Sequence, residues 1–262
     1  MMVSLWSAAS GMLAQELNMD VISNNLSNVD TVGFKKNRVD FQDLMYQTKS
    51  VPGATNGDGA SVPAGIQVGN GVKAVGTQKI FTTGEFVPTD GDLDMAIEGK
   101  GFFQVLMPDG TIGYTRNGSF SKTTTGQLVN SDGFFLEPAI TVPNNYTELS
   151  IGIDGTVTVL TADSDQAQEI GRIELANFVN PAGLVAIGRN LYKPSSASGE
   201  AVVTTPGQDG VGTIRHKVLE TSNVKVVEEM VKMITAQRAY EVNTKSIQTA
   251  DSMLQMANNL KR

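Results

Sequence analysis

Two stretches, one near each end of the chain, repeat apolar residues every seven positions, and nothing else in the sequence restricts the fold as much. Between about Ser4 and Asn28 there is one glycine and no proline, and Leu5, Met12, Met19 and Leu26 fall seven residues apart. Ala8, Gln15 and Ile22 follow three positions on in each interval, so the stretch reads as a helix carrying a heptad seam with one polar flaw. The run Ser23 to Phe34 then supplies Asn, Ser and Asp side chains that compete for backbone hydrogen bonds. Gly33 can take positive φ there, and the helix should stop. A second helix should start near Ser222 or Asn223, either of which can cap it, with Glu228 and Glu229 favourably placed against its dipole. Val226, Met233, Tyr240, Ile247 and Leu254 repeat the heptad spacing, and Ala236, Asn243, Ala250 and Ala257 fill the companion positions. The first helix is shorter than the second, so pairing them leaves an overhang that must pack on something else.

Between the helices the pattern changes to β. The stretches Thr77 to Glu85, Asp94 to Ile97, Gly101 to Leu106, Gly155 to Leu160 and Arg172 to Leu175 read as short strands. Pro108-Asp109-Gly110, Ser131-Asp132-Gly133 and Asp154-Gly155 read as turns in which glycine meets a demand for positive φ. The middle is expected to be an antiparallel β domain. Thr48 to Gly71, rich in Gly, Pro, Ser and Asn, reads as an extended arm, and Ser195 to Gly212 as a shorter loop of the same kind. The fold class is therefore α+β: long N- and C-terminal helices in a coiled-coil-like assembly domain flanking a β-rich middle domain. The expected division is residues 1–34 with 220–262, an arm or linker at 35–75, and a β-rich part at 76–219.

Net charge −7 with pI near 4.8 leaves no cationic footprint for nucleic acid or anionic lipid. The absence of cysteine excludes disulfides and thiolate metal sites. The stretch from Met1 to Trp6 has no basic region, and no apolar run follows that would make a signal sequence or a membrane span, so export would use another route.

Catalytic chemistry finds no candidates. The single histidine, His216, sits in a strand-like context without a nucleophile pattern. Asp90, Asp92 and Asp94 alternate as a calcium loop begins, but Met95 stands where the sharp turn needs Gly, and no Glu falls at position twelve. Gly99-Lys100-Gly101 lacks the third glycine of a phosphate loop and reads as a tight turn feeding a strand. The only tryptophan, Trp6, is expected to serve helix packing rather than a lipid interface. No catalytic, cofactor or metal residue is assigned, and no small-molecule substrate is expected. What remains is placement: two heptad helices flanking a β-rich middle suit a subunit whose helix bundle is completed by neighbouring copies.

Particular strings give this reading a family. Ser23 to Lys35, containing Asn24, Asn25, Asn28, Gly33 and Phe34, resembles the Asn-rich signature ending in Gly-Phe-Lys of flagellar rod and hook proteins. Asp92 to Phe103, Tyr114 to Phe120, Gln127 to Val129, Glu220 to Val224 and Gln237 to Asn243 are similar to further family segments, so the likeness spans the chain. Ser27 and Asp30 depart from the commoner residues without threatening the helix stop. Chain length and the arm from Tyr46 to Gly69 favour the distal section of the rod, with a proximal rod or hook subunit the alternative; a carbohydrate-binding or enzymatic β domain is the rival from another class. The resemblance implies a periplasm-spanning tube, exported by the flagellar type III apparatus without a cleaved signal peptide. It further implies partners in copies of the same chain, other rod proteins, the hook protein and the surrounding rings.

Overall fold

A computed structural model describes residues 2–51, 64–161 and 164–259. The chain divides into two compact units, one made of residues 1–26, 37–78 and 225–262, the other of 27–36 and 79–224.

The first unit holds both helices. Helix α1 spans Met2–Ser27 and α2 spans Val226–Asn259, about 39 and 51 Å long at the α-helical rise. The second helix begins later than Ser222 or Asn223 because neither side chain caps it. The Ser222 hydroxyl accepts from the Val224 N–H, and the Asn223 amide is committed to the carbonyls of Ile80 and Thr82. Glu228 and Glu229 lie in its first turn, where carboxylates oppose the helix dipole. The arm is more regular than its composition suggests. Tyr46–Ser50 pairs antiparallel with Ile66–Gly69, and Asn37–Asp43 pairs with Val72–Lys79; residues 52–63 of the expected arm lie outside the described residues.

The second unit is β-rich. Its largest sheet runs in the order Val185–Gly188, Leu191–Lys193, Ile112–Thr115, Phe103–Leu106, Phe135–Glu137, Leu128–Asn130 and Phe120–Lys122, with its described pairings antiparallel. Because successive side chains on a strand point to opposite faces, Phe102 and Phe103 enter different layers. Phe103 and Val105 join Met95, Ile97, Val157, Ile173, Leu175 and Ile214 in a core excluded from solvent. Phe102 joins Tyr114, Phe178, Leu184 and Tyr192 in a second cluster, whose rings meet edge to face at 4.9–5.9 Å. The three expected turn glycines, Gly110, Gly133 and Gly155, all have positive φ.

Two expected strands are interrupted. Thr77 to Glu85 is not one strand: Val72–Lys79 pairs with Asn37–Asp43, a ladder that closes with the Ile80 N–H on the Lys36 carbonyl, and the next strand, Phe86–Pro88, pairs with Val218–Glu220. Arg172 to Leu175 is also broken: the Ile173 N–H makes the last bond of the ladder that Ser164–Arg172 forms with Thr156–Thr161, to the Gly155 carbonyl, and Leu175–Asn177 pairs instead with Val202–Thr204. Ser195 to Gly212 is not all loop, since Val202–Thr204 pairs with Leu175–Asn177.

Candidate functional site

Helix α1 faces α2 in antiparallel register. The buried Asn25 donates through Nδ2 to Oε2 of Glu229 at 3.2 Å. Fourteen residues back along α1, Gly11 lies against the Asn243 side chain, which is fourteen residues forward along α2. A Cβ at Gly11 would stand 2.8 Å from Asn243 Nδ2, so this approach requires glycine or displacement of that amide. Beside it the Thr244 hydroxyl reaches the Met12 sulfur at 3.4 Å. At the start of α1, a groove of about 410 Å³ is lined by Ser4, Val242, Lys245, Thr249, Ala250 and Met253. The longer helix runs on past this groove, and residues 251–259 are exposed.

The heptad residues do not share one environment. Leu5, Met12, Met19, Leu26, Met233 and Ile247 are half-buried, whereas Val226, Tyr240 and Leu254 are exposed. What the helices bury is mostly small: Ala8, Ala14 and Ile22 on α1, Ala236 and Ala250 on α2, together with Asn25 and Glu229. The largest apolar side chains face outward. Trp6 is 70% exposed and Leu13 67%, seven residues apart on one face of α1, with Leu17 beside them. On α2, Val227, Val231 and Ile234 are 74, 55 and 53% exposed, and at helical spacing they lie opposite the Glu229–Ala236–Ala250 face. Each helix therefore carries a second apolar face that the heptad pattern alone did not single out.

The family-motif residues work as anchors. Asn25 ties three elements, because besides Glu229 it accepts from the Asn37 N–H and donates to the Asn37 carbonyl, at 2.8 and 2.9 Å. Glu229 is in turn held by Lys232 at 2.6 Å. Asn28 accepts from the Thr31 hydroxyl in the turn that ends α1, and Asn24 is exposed. The arm lies along α1 where Ser10 accepts from the Val72 N–H, and Gly71, at φ +114°, leaves no room for a side chain beside that hydroxyl.

Within the β-rich unit, the segment after α1 meets the segment before α2. Gly33 has φ +69°, and a Cβ there would stand 2.7 Å from the Arg116 and Asn117 backbone. Its N–H donates to the Glu220 carbonyl at 2.8 Å. Phe34 is buried with the Lys79 ammonium 5.3 Å from its ring centre. Lys35, fully buried, donates to Glu220 Oε1 at 2.5 Å and to the Thr82 carbonyl at 2.8 Å. Arg116, also buried, donates to the Gly99 carbonyl and lies over the Phe102 ring, yet its Nε and Nη1 and the Glu220 Oε2 have no hydrogen-bond partner among the described residues. Burial holds the Lys35 ammonium below its ordinary pKa, an effect that Glu220 opposes and Arg116 reinforces. Burial likewise pushes the Tyr192 phenol up to about 12. In the sequence Lys35, Arg116 and Glu220 belong to three separate motif strings, and nothing local marks them as mutual neighbours.

His216 Nε2 lies 2.7 Å from the Asp92 carbonyl, Asp92 pairs with Lys217, and Asp94 accepts from the Thr89 hydroxyl. Among the described residues no cluster of three His, Cys, Asp or Glu side chains could hold a metal ion. No described helix is long and apolar enough to cross a membrane.

Comparison with known proteins matches these regions in turn. Residues 5–35 match the family described as flagella basal body rod protein, residues 96–159 the flagellar hook protein FlgE/F/G D1 domain, and residues 215–260 the flagellar basal body rod FlgEFG protein C-terminal family. The flagellar basal-body rod protein FlgG of Borreliella burgdorferi is 50% identical over the whole of both chains. Those of Caulobacter vibrioides and Bacillus subtilis are 48 and 41% identical, covering 99 and 100% of this chain and all of theirs. With full-length identity at this level and family matches at both helices and in the β-rich unit, the chain belongs to the flagellar basal-body rod protein FlgG family.

Proposed function

We propose that this chain is a structural subunit of the distal flagellar rod, polymerising into a rigid hollow shaft that carries torque across the periplasm to the hook. The observation that carries the reading is the arrangement of the helices, with alanines inside and Trp6, Leu13, Val227, Val231 and Ile234 outside. Exposed apolar faces of this kind are covered in an assembly or else promote aggregation. In the working division, residues 1–34 with 220–262 polymerise, 35–75 add lateral contacts that resist sliding, and 76–219 face the surrounding rings. Val226, Tyr240 and Leu254, together with the outer faces, meet neighbouring subunits. Leu5, Met12, Met19, Leu26, Met233 and Ile247 are heptad positions that meet them only in part, because each is half-buried within its own chain. Stiffness then arises from summed packing rather than from any one site. Other rod proteins, the hook protein and the rings adjoin the polymer, and the flagellar export apparatus delivers the chain.

Electron microscopy of the concentrated protein tests this. The wild-type chain should form straight tubes, and Ile234→Asp should abolish them while leaving the stability of the β-rich unit within about 0.5 kcal/mol, because the aspartate is solvated in the monomer and buried only in the polymer. Normal tubes from Ile234→Asp would contradict it.

A further inference from the structure

The Lys35–Arg116–Glu220 junction is made by parts of the chain that are far apart. Lys35 and Glu220 are separated by 185 residues, and all three side chains are almost wholly excluded from solvent. Glu220 pairs directly with Lys35 at 2.5 Å, and its charge also favours the Arg116 guanidinium, with which it makes no hydrogen bond. Glu220 also accepts from the Gly84 N–H through Oε1 at 2.9 Å, and its backbone carbonyl receives the Gly33 N–H at 2.8 Å. Three residues later, Asn223 accepts from the Lys36 N–H at 2.8 Å and donates to the Ile80 and Thr82 carbonyls. The last strands of the unit arrive with this segment: Thr213–His216 pairs with Met95–Glu98, and Val218–Glu220 with Phe86–Pro88.

A chain that emerges amino end first, from a ribosome or an export channel, presents Lys35 and Arg116 long before Glu220. Closing the core at that stage would bury an ammonium and a guanidinium with no anion, a cost far larger than the hydrophobic gain of a few side chains. We infer that Glu220 acts as a folding checkpoint: the β-rich unit cannot close until the 217–223 segment delivers the carboxylate that neutralises Lys35 and Arg116. The device keeps the chain open until the residues leading into α2 are present, so that the two helix-bearing ends are set down together.

The distinguishing property is kinetic. A contact that merely stabilises the finished fold changes the unfolding rate, whereas one required for closure changes the refolding rate. Refolding and unfolding of the full-length chain, followed by hydrogen exchange in Met95–Glu98 and Phe103–Leu106, separate the two. Glu220→Gln should slow refolding about tenfold or more and leave unfolding within about twofold. Should Glu220→Gln fail to fold, the milder Asn223→Ala decides by itself, with refolding slowed about threefold and unfolding unchanged. Lys35→Met, which leaves one cation facing one anion, should slow refolding less than Glu220→Gln. Unaltered refolding with accelerated unfolding in either Glu220→Gln or Asn223→Ala would overturn the proposal.

Discussion

The two units of this molecule solve opposite problems. In the β-rich unit, large residues go inside: Phe103, Met95, Ile97, Leu175 and Ile214 are at or near zero exposure, and a second aromatic layer covers the other face of the main sheet. In the helical unit the sizes are inverted, with Ala8, Ala14, Ala236 and Ala250 buried while Trp6, Leu13, Val227 and Val231 are exposed. Apolar area removed from water is the main source of stability, so the β-rich unit has its large apolar residues covered within the monomer and the helical unit does not. A long helix that buries mostly alanine-sized side chains gains little from tertiary packing, the main source of helix stability in water. On the reading proposed above, the chain carries its folding and its assembly in separate parts, and the assembly part is left unsaturated.

The largest effect that could break this comparison is a core truncation. Phe103→Ala should destabilise the β-rich unit by about 3–5 kcal/mol, a large share of a typical domain's total. Ile22→Ala, the corresponding change in α1, should leave the β-rich unit's denaturant midpoint unmoved. A common loss of both units from Ile22→Ala would show that they are not separable.

A smaller effect sharpens the comparison through pH. Tyr192 retains its proton to about 12 in the folded unit, against about 10 in an unfolded chain. Between those values the unfolded state binds fewer protons, so stability falls as pH rises, by about 2–3 kcal/mol at the upper end. Buried Tyr114 is raised too and adds the same sign. Lys35 and Lys79, lowered by burial, act oppositely, but their window closes at 10.5, where an unfolded lysine has itself lost its proton. Tyr192→Phe should therefore flatten the decline from pH 10.5 to 12 in the β-rich unit's urea midpoint. An unchanged decline would place the cause elsewhere.

How much of this was legible in the sequence follows from the range of the interactions. Helix positions were legible because Leu5 to Leu26 and Val226 to Leu254 repeat locally. Which helix face points inward was not, because apolar residues surround both helices and close approach selects alanine and Gly11 over the larger heptad residues. Turn glycines such as Gly110 and Gly133 are legible in the sequence, since positive φ is a local demand. Thr77 to Glu85 and Arg172 to Leu175 mislead because apolar residues continue while the backbone changes partner, to Val218–Glu220 in the first case and to Val202–Thr204 in the second. Asn223 resembled a cap, yet its amide was needed 143 residues upstream at Ile80. The junction of Lys35 with Glu220 was invisible for the same reason at longer range, and only the burial of whole motif strings could have hinted at it.

Hydrogen exchange on the dilute monomer and on the sedimented polymer, compared residue by residue, tests most directly that the helical unit is completed by its neighbours. Strands Met95–Glu98, Phe103–Leu106 and Thr156–Thr161 should be protected equally in both states. Amides of α1 and α2 should exchange rapidly in the monomer and gain protection of about a hundredfold or more in the polymer. Helices as strongly protected in the dilute monomer as in the polymer would contradict the account.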